Sequence, residues 1–356
     1  MSVLMVGVDE STNGGMWSVV ENYLKDKEFV NKNDLIYIPT SVTGCSAYKK
    51  ILFTMDSFWK IRNLYKKKDV QILHVHMSER MSIFRKGVIM YYAKKHGSKI
   101  VLHMHGAEFE DLYKRMKPKK QKRVKNIINL ADTVIILGEY WRNFLGDLLL
   151  QPEKIKVVYN AVDIPDNYRY HCNSNHILFL GAVSQRKGIH ILLESLKCIE
   201  ETLKDKCIVD IYGPDVEGNI KEIIHQKGLD SWVFYRGWLS GDYKKNVLEH
   251  TMFNVLPSYN EGLPMTILEC MAYGVPSITT NVAAIPEAIT RDNGILVRPG
   301  NVQELSDAIL EMVFNKEKRA LLSKKAYEDA NTFFSVKQHI EIIQELYDGL
   351  IGYSKK

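Results

Sequence analysis

Short apolar runs bounded by Gly, Pro, Asn and Asp, and separated by stretches of helical periodicity, recur from one end of the chain to the other. Such alternation predicts parallel sheets covered by helices. Residues 3–8, 35–39, 70–76, 99–105, 133–137 and 156–159 read as strands, with helices at 15–25, 48–67, 81–95, 119–130 and 140–149 between them. A polar stretch at 163–175 breaks the rhythm and reads as an interdomain linker. The pattern then restarts with strands at 176–180, 207–212, 232–235, 253–256, 276–280 and 294–297, and helices at 188–203, 215–227, 243–250, 264–273, 302–314 and 316–332. The expected fold class is α/β: two doubly wound, Rossmann-like domains, 1–165 and 176–335, facing each other across a cleft. A last helix at 336–352 is expected to pack back on the first domain. A single large hydrolase-type sheet is the competing topology, but the sequence has no Gly-x-Ser-x-Gly nucleophile elbow.

Length agrees with this division, since 356 residues exceed what one hydrophobic core usually organises. The five cysteines are scattered, odd in number and without a CxxC or Cys/His spacing, which points to reduced thiols in a cytoplasm rather than a disulfide framework or a zinc site. Met1 leads directly into a strand, a poor match to a signal peptide, and no run approaches the roughly 18 apolar residues a membrane span needs.

Charge changes the picture of the first half. Residues 1–165 carry 27 Lys and Arg against 17 Asp and Glu, and the remainder 21 against 25. An anionic partner is therefore expected for the first half, either a membrane surface or a nucleic acid. Residues 48–68 interleave seven cations with Ile51, Leu52, Phe53, Phe58, Trp59, Ile61 and Leu64, and 114–125 add eight more. The first stretch reads either as a helix lying at a membrane interface or as a core-facing helix with a solvated basic face. No nucleic-acid-binding module is visible, so nucleic acid is not the expected partner. A cytoplasmic protein, peripheral on the inner membrane face, fits these features.

Residues 257–280 hold the most informative stretch. Glu261 falls in a loop after an apolar strand, and Glu269 in the helix that follows, so both carboxylates are expected at a sheet's carboxyl edge, where open α/β sheets bind ligands. The plainer reading is a loop residue and a carboxylate favoured by the helix dipole. Gly181 to Gly188 follows the first strand of the second domain, and its Arg186 and Lys187 would suit a pyrophosphate; a solvated basic turn is the alternative. Asn13-Gly14-Gly15 opens a helix after the first strand and offers amides to an anion, although it is not GxGxxG and an ordinary turn would look the same.

His103 and His105 end the fourth strand. His105 is expected to point into the cleft and bond substrate, with His103 structural; metal ligation by the pair lacks any accompanying Cys/His cluster. His74 and His76, one strand earlier, read as satisfied structural groups. Gly213, Arg236-Gly237-Trp238 and Ser258 fall at the same edge of the second sheet, Trp238 most simply as a packing residue.

Together these residues resemble the retaining family 4 glycosyltransferases of GT-B fold, over essentially the whole chain. Glu261, seven intervening residues and Glu269, within Ser-Tyr-Asn-Glu-Gly-Leu-Pro-Met-Thr-Ile-Leu-Glu-Cys-Met-Ala-Tyr-Gly-Val-Pro, are similar to that family's paired-glutamate signature. The resemblance implies that Glu261 binds hydroxyls of the donor sugar and Glu269 the ribose, while Gly262, Leu263 and Pro264 lie near sugar and phosphates. It further implies that Gly14 and Gly15 lie beside the diphosphate, that His105 lies near the transferred sugar, and that Lys187 grips the diphosphate. Asn160-Ala-Val-Asp163 resembles the family's segment before the linker. Ala182 departs from the arginine many members carry there, leaving Arg186 as the available fork. The implied activity is transfer of a hexose-type sugar from a nucleotide-sugar donor, with uridine as the expected base, to a saccharide acceptor that is lipid-linked, as in capsule, lipopolysaccharide or exopolysaccharide synthesis, with no metal or other cofactor. A non-catalytic sugar-nucleotide binder and a GT-B epimerase are the alternatives.

Overall fold

The computed structural model describes residues 1–12, 14–79 and 81–352. The chain divides into two compact units, Met1–Asn160 with Val336–Lys356, and Ala161–Ser335. In the first run β1 (Val3–Val8), α1 (Gly15–Lys25), α2 (Lys27–Lys32), β2 (Ile36–Ser41), α3 (Ala47–Lys67), β3 (Ile72–Met77), α4 (Met81–Lys95), β4 (Lys99–Met104), α5 (Phe109–Lys114), α6 (Pro118–Ile128), β5 (Thr133–Ile136), α7 (Arg142–Leu148) and β6 (Ile155–Val157). In the second run β7 (His176–Leu180), α8 (Ile189–Cys198), α9 (Glu200–Leu203), β8 (Ile208–Tyr212), α10 (Ile220–Gln226), β9 (Val233–Gly237), α11 (Gly241–Glu249), β10 (Thr251–Leu256), α12 (Met265–Ala272), β11 (Ser277–Thr280), α13 (Ile285–Ala288), β12 (Gly294–Val297), α14 (Val302–Phe314) and α15 (Lys316–Phe333). The final helix, α16 (Val336–Ile351), belongs to the first unit.

Each unit is built on one six-stranded sheet, ordered β2-β1-β3-β4-β5-β6 in the first and β12-β11-β10-β7-β8-β9 in the second, with every pairing parallel. These are two Rossmann-like α/β units. Strands β1, β3 and β10 are buried at every position, the signature of a sheet covered on both faces and the reason they read as unbroken apolar runs. Strand order reverses between β1 and β3 in the first sheet and between β7 and β10 in the second, so the loops leaving those strands diverge and open a crevice at the carboxyl edge.

Several local features depart from the periodicity. The polar segment 163–175, expected to be a linker, packs on the second unit: Tyr168 bonds Ser323 at 2.6 Å, Tyr170 donates to Met252 O at 2.7 Å, and Arg169 pairs with Glu249 at 2.9 Å. The helix expected at 188–203 breaks at Ile199, whose φ of −113° and ψ of 11° leave the helical region. Pro264 caps α12 in extended conformation instead of forming its first turn. Helices α2, α5 and α13, of four to six residues, are too short to show a period.

Side chains of α16 close the first unit. Tyr347 is fully buried and bonds His74 Nδ1 at 2.5 Å, His339 Nδ1 bonds Tyr159 O at 2.8 Å, and Asn33 donates to Gln344 Oε1 at 2.8 Å. Because a carbonyl only accepts, Nδ1 of His339 carries the hydrogen, and its Nε2 accepts from Tyr23, 2.5 Å away. Tyr347→Phe keeps the ring but strands His74 Nδ1 in the interior, so it should lower unfolding free energy by about 1–3 kcal/mol. Tyr347→Ala, which also empties an aromatic site, should cost about 3–5 kcal/mol. Urea titration of the full chain checks both, and a Phe variant with the wild-type midpoint would show that the hydroxyl bond contributes nothing.

Candidate functional site

In the second unit the two loops at the strand-order reversal carry the chemistry. The loop after β7 ends in a short 3-10 turn, Gln185–Lys187, and then Gly188 at φ +76°. A Cβ on Gly188 would sit 2.0 Å from the Pro257 carbonyl oxygen, so only glycine lets this loop lie against the one that follows β10. Two backbone-directed bonds lock the loops together: Tyr259 N donates to Arg186 O at 2.8 Å, and the Arg186 guanidinium donates to Asn260 O at 2.7 Å.

That contact delivers the cations to Glu261. Lys187 Nζ lies 2.5 Å from Glu261 Oε1, Ser258 Oγ donates to the same oxygen at 2.7 Å, and Arg186 stands 3.7 Å from Oε2. Glu261 is only 4% exposed. Its loop is held from below by β11, since Thr279 donates to Leu256 O at 2.8 Å and Thr280 to Ser258 O at 2.5 Å. The result is a carboxylate with two cations and a hydroxyl, largely removed from water at a crevice of the kind that takes ligands.

Gly262, Leu263 and Pro264 continue this loop into α12, with Leu263 and Pro264 buried. Glu269, one turn into α12, does not join the Glu261 cluster. It pairs instead with Lys244 of α11, at 2.7 Å and off the hydrogen-bond axis. Lys244 was not legible in the sequence; nothing in 241–249 marks one lysine of that helix above its neighbours. Loop amides are largely engaged: Gln185 N bonds Glu217 Oε1, Lys187 N bonds Ser184 O, Gly188 N bonds Gln185 O and Gly213 N bonds Gly237 O, so side chains rather than these amides are the anion-seeking groups. Trp238, expected as a packing residue, is 51% exposed. A second charge cluster, Asp210 with Arg236 at 2.7 Å and His176 at 2.6 Å, sits within β7, β8 and β9 and braces that sheet.

The first unit's carboxyl edge is different in kind. Gly14 caps α1 and Gly15 begins it, with Trp17 N bonding Gly14 O at 3.0 Å; Asn13 lies outside the described residues. His105 leaves β4 half-buried, its amide bonded to Met77 O at 2.8 Å and its Nε2 2.9 Å from His76 Nδ1. Behind it His74, His76 and His103 form a buried stack, with His103 and His105 ring centres 4.2 Å apart and His74 and His76 4.6 Å apart. Nitrogens of His74, His76 and His103 lie within 4.8 Å of one another, the one grouping among the described residues that could hold a metal ion. The rings lie at interplanar angles of 15–31°, and buried Lys86 donates to His76 O beside them.

Residues 166–329 match the family described as glycosyl transferases group 1, and residues 22–165 match glycosyltransferase family 4, the two stretches abutting. An uncharacterized glycosyltransferase of Methanocaldococcus jannaschii is 26% identical, the alignment covering 98% of this chain and 99% of that protein. An uncharacterized 41.2 kDa protein in the cps region of Klebsiella pneumoniae is 24% identical over 89% of this chain and 92% of its own. Among solved structures, HepE of Anabaena in complex with UDP-glucose superposes with a TM-score of 0.77 at 17% identity, covering 98% of this chain and 100% of that one.

Burial holds five imidazoles of the first unit, those of His74, His76, His103, His105 and His339, in their neutral form. Desolvation, followed by neighbouring charged groups, pushes His74 down to about 3, lowers His76, His103 and His105, and desolvation takes His339 to about 4. The unfolded chain binds protons on these histidines below about pH 6.5 while the folded unit does not, so stability is complete above that pH and is lost as pH falls toward 4. Each fully engaged histidine removes about 1.4 kcal/mol per pH unit. Urea midpoints at pH 7.5, 6.0 and 5.0 should fall steeply across the last two; a flat profile would mean that the stack already binds protons when folded.

Proposed function

Because the chain belongs to the family 4 glycosyltransferases, we propose that it moves a hexose-type sugar from a uridine diphosphate sugar, with retention of anomeric configuration, to a saccharide acceptor. The acceptor in this reading is carried on a lipid at an anionic membrane face, in synthesis of a capsule, lipopolysaccharide or exopolysaccharide. The observation that carries the reading is the Lys187–Glu261 pair with Arg186 and Ser258, built where strand order reverses. The uridine diphosphate donor is supported by the HepE complex with UDP-glucose, and the polysaccharide setting by the cps-region relative.

The geometry of the site suggests how the donor engages. Lys187 neutralises Glu261 at 2.5 Å; a diphosphate entering the crevice draws the ammonium toward its oxygens and frees Glu261 to accept hydrogen bonds from sugar hydroxyls. Arg186, already 3.7 Å from Glu261, supplies the fork that Ala182 does not. As the glycosidic C–O bond breaks, negative charge grows on the departing diphosphate. Lys187 and Arg186 meet that charge in a site with little water, where one such contact is commonly worth a few kcal/mol. This reading assigns leaving-group stabilisation to side chains and asks for no metal. Glu269 takes the ribose, poised by Lys244; Gly213, Gly262, Leu263 and Pro264 shape the donor's surroundings. On the first unit, this reading assigns Gly14 and Gly15 to the diphosphate and neutral His105 to a substrate hydroxyl.

Incubation with a panel of nucleotide sugars and acceptors tests the assignment. Lys187→Ala should lower kcat by roughly 100- to 1,000-fold, with Glu261→Ala comparable, and Glu269→Gln should act mainly by raising the donor KM about tenfold. NMR of the product should show the donor's anomeric configuration. Turnover unchanged in Lys187→Ala and Glu261→Ala would remove these residues from the site, and donor conversion without acceptor would replace transfer by epimerisation.

A further inference from the structure

Helix α3 carries two apolar faces. One packs on the first unit's core through Ser57 and Ile61, both buried, with Phe58, Leu64 and Tyr65 beside them. The other points away from it. Tyr48, Ile51, Leu52, Met55 and Trp59 recur at helical spacing and are 45–69% exposed. The expected solvated basic face is thus interrupted over three turns by a stripe that burial in this fold does not explain.

Neighbouring α4 repeats the arrangement. Met81, Val88 and Tyr91 lie on its outward face, 54–69% exposed, while Ile83, Ile89, Met90 and Ala93 are buried. Helices α3 and α4 lie side by side, since Phe58 and Tyr65 of α3 meet Tyr92 with ring centres 5.8 and 5.5 Å apart. Helix α6 adjoins α4 closely: a Cβ on Gly87 would fall 2.7 Å from Ile127, so glycine sets the approach. The strands β2, β3 and β4 are joined by α3 and α4 in one direction across the sheet, and right-handed crossovers place these helices on one face.

Charge on this layer is one-sided. Helices α3, α4 and α6 contain fifteen Lys and Arg and a single acid, Asp56. Four of the cations are already used or hidden: Lys60 pairs with Asp56 at 2.8 Å, Lys94 with Asp132 at 2.9 Å, Lys125 donates to Asp147 O at 3.3 Å, and Lys86 is buried. Lys119, Lys120, Lys122 and Arg123 are all exposed on α6, the helix that adjoins α4.

We propose that this three-helix face of the first unit lies on an anionic lipid bilayer, with the α3 and α4 stripes seated at the headgroup–acyl boundary and the α6 cations over the lipid phosphates. Exposed apolar stripes bordered by cations suit an interface that is greasy in its plane and negative above it. Tyr48, Trp59 and Tyr91 place amphipathic rings where one end is dry and the other wet. A second copy of the chain is a poor occupant, because a symmetric contact would set like charges against one another. The inference deepens the proposed lipid-borne acceptor by naming the surface that meets the lipid. It is tested without donor or acceptor, so its failure would leave the transfer assignment standing.

Vesicle co-sedimentation of the full chain is the experiment, comparing pure phosphatidylcholine with phosphatidylcholine containing a third phosphatidylglycerol. Binding should need the anionic lipid and weaken as salt rises from 0.05 to 0.5 M. Met55→Asp and Ile51→Asp, at exposed positions, should each reduce vesicle partition at least about tenfold with an unchanged melting temperature. Neutralising Lys119, Lys120, Lys122 and Arg123 to Gln together should remove most of the salt dependence. Binding that is equal on neutral and anionic vesicles, or unaffected by both sets of substitutions, would overturn the proposal. So would a dimer in analytical ultracentrifugation that Met55→Asp dissolves, since it would assign the stripe to a second copy.

Discussion

A lysine and a glutamate held 2.5 Å apart, both largely out of water, are what the second unit's site depends on. Removing two charges from water is expensive, and their attraction repays the cost only when geometry is good and the remaining lone pairs are satisfied. Here Ser258 takes a second bond to Oε1 and Arg186 approaches Oε2. The pair also depends on two backbones passing in contact at Gly188 and Pro257. Losing Glu261 would leave Lys187 largely buried without its carboxylate, whereas losing Lys187 would leave Glu261 with only Ser258 and the more distant Arg186. An anion able to substitute for the carboxylate at Lys187 can therefore enter without leaving an isolated charge behind.

Sheet topology puts those backbones where they are. Because β7 and β10 are neighbours from which the strand order runs in opposite directions, their following loops leave on diverging paths and their first residues stay adjacent. The residues between 181 and 188 and between 257 and 264 thus meet although they are far apart in sequence. No property of either segment alone produces the meeting.

What could be read from the sequence follows from that distinction. The twelve strands were visible as short apolar runs, unbroken where both faces are buried, as in β1, β3 and β10. Glu261, Lys187, Arg186 and Ser258 could be named because each follows a strand at its carboxyl end. Their mutual bonding could not, since it arises from loop contact at the reversal of strand order. Lys244 was hidden for the same reason: its value lies in reaching Glu269 from another helix. The segment 163–175 looked like a linker because polar residues make up most of it, yet a few side chains, Tyr168 and Tyr170 among them, suffice to fasten it. On α3, interleaved Lys and apolar residues signalled an amphipathic helix, but only burial distinguishes the apolar face that the core uses from the one that it leaves outside.

The histidines of the first unit show how the same fold can supply a different kind of group. Five imidazoles gather around the ends of β3 and β4 and the start of α16, and a protonated ring among them would face other imidazoles and the buried Lys86. Neutrality is the consistent state: Tyr347 can donate to His74, and His74 to His103, without any ring gaining a proton. His105 is the member of this row that reaches the half-exposed edge, and its orientation is set from behind by His76 at 2.9 Å. A neutral imidazole fixed in this way offers a directed hydrogen bond whose strength does not vary with pH across the range where the unit is folded. In the proposed reading that suits recognition of an uncharged hydroxyl better than proton transfer, because the first unit's row presents neutral dipoles where the second unit's loops present paired charges.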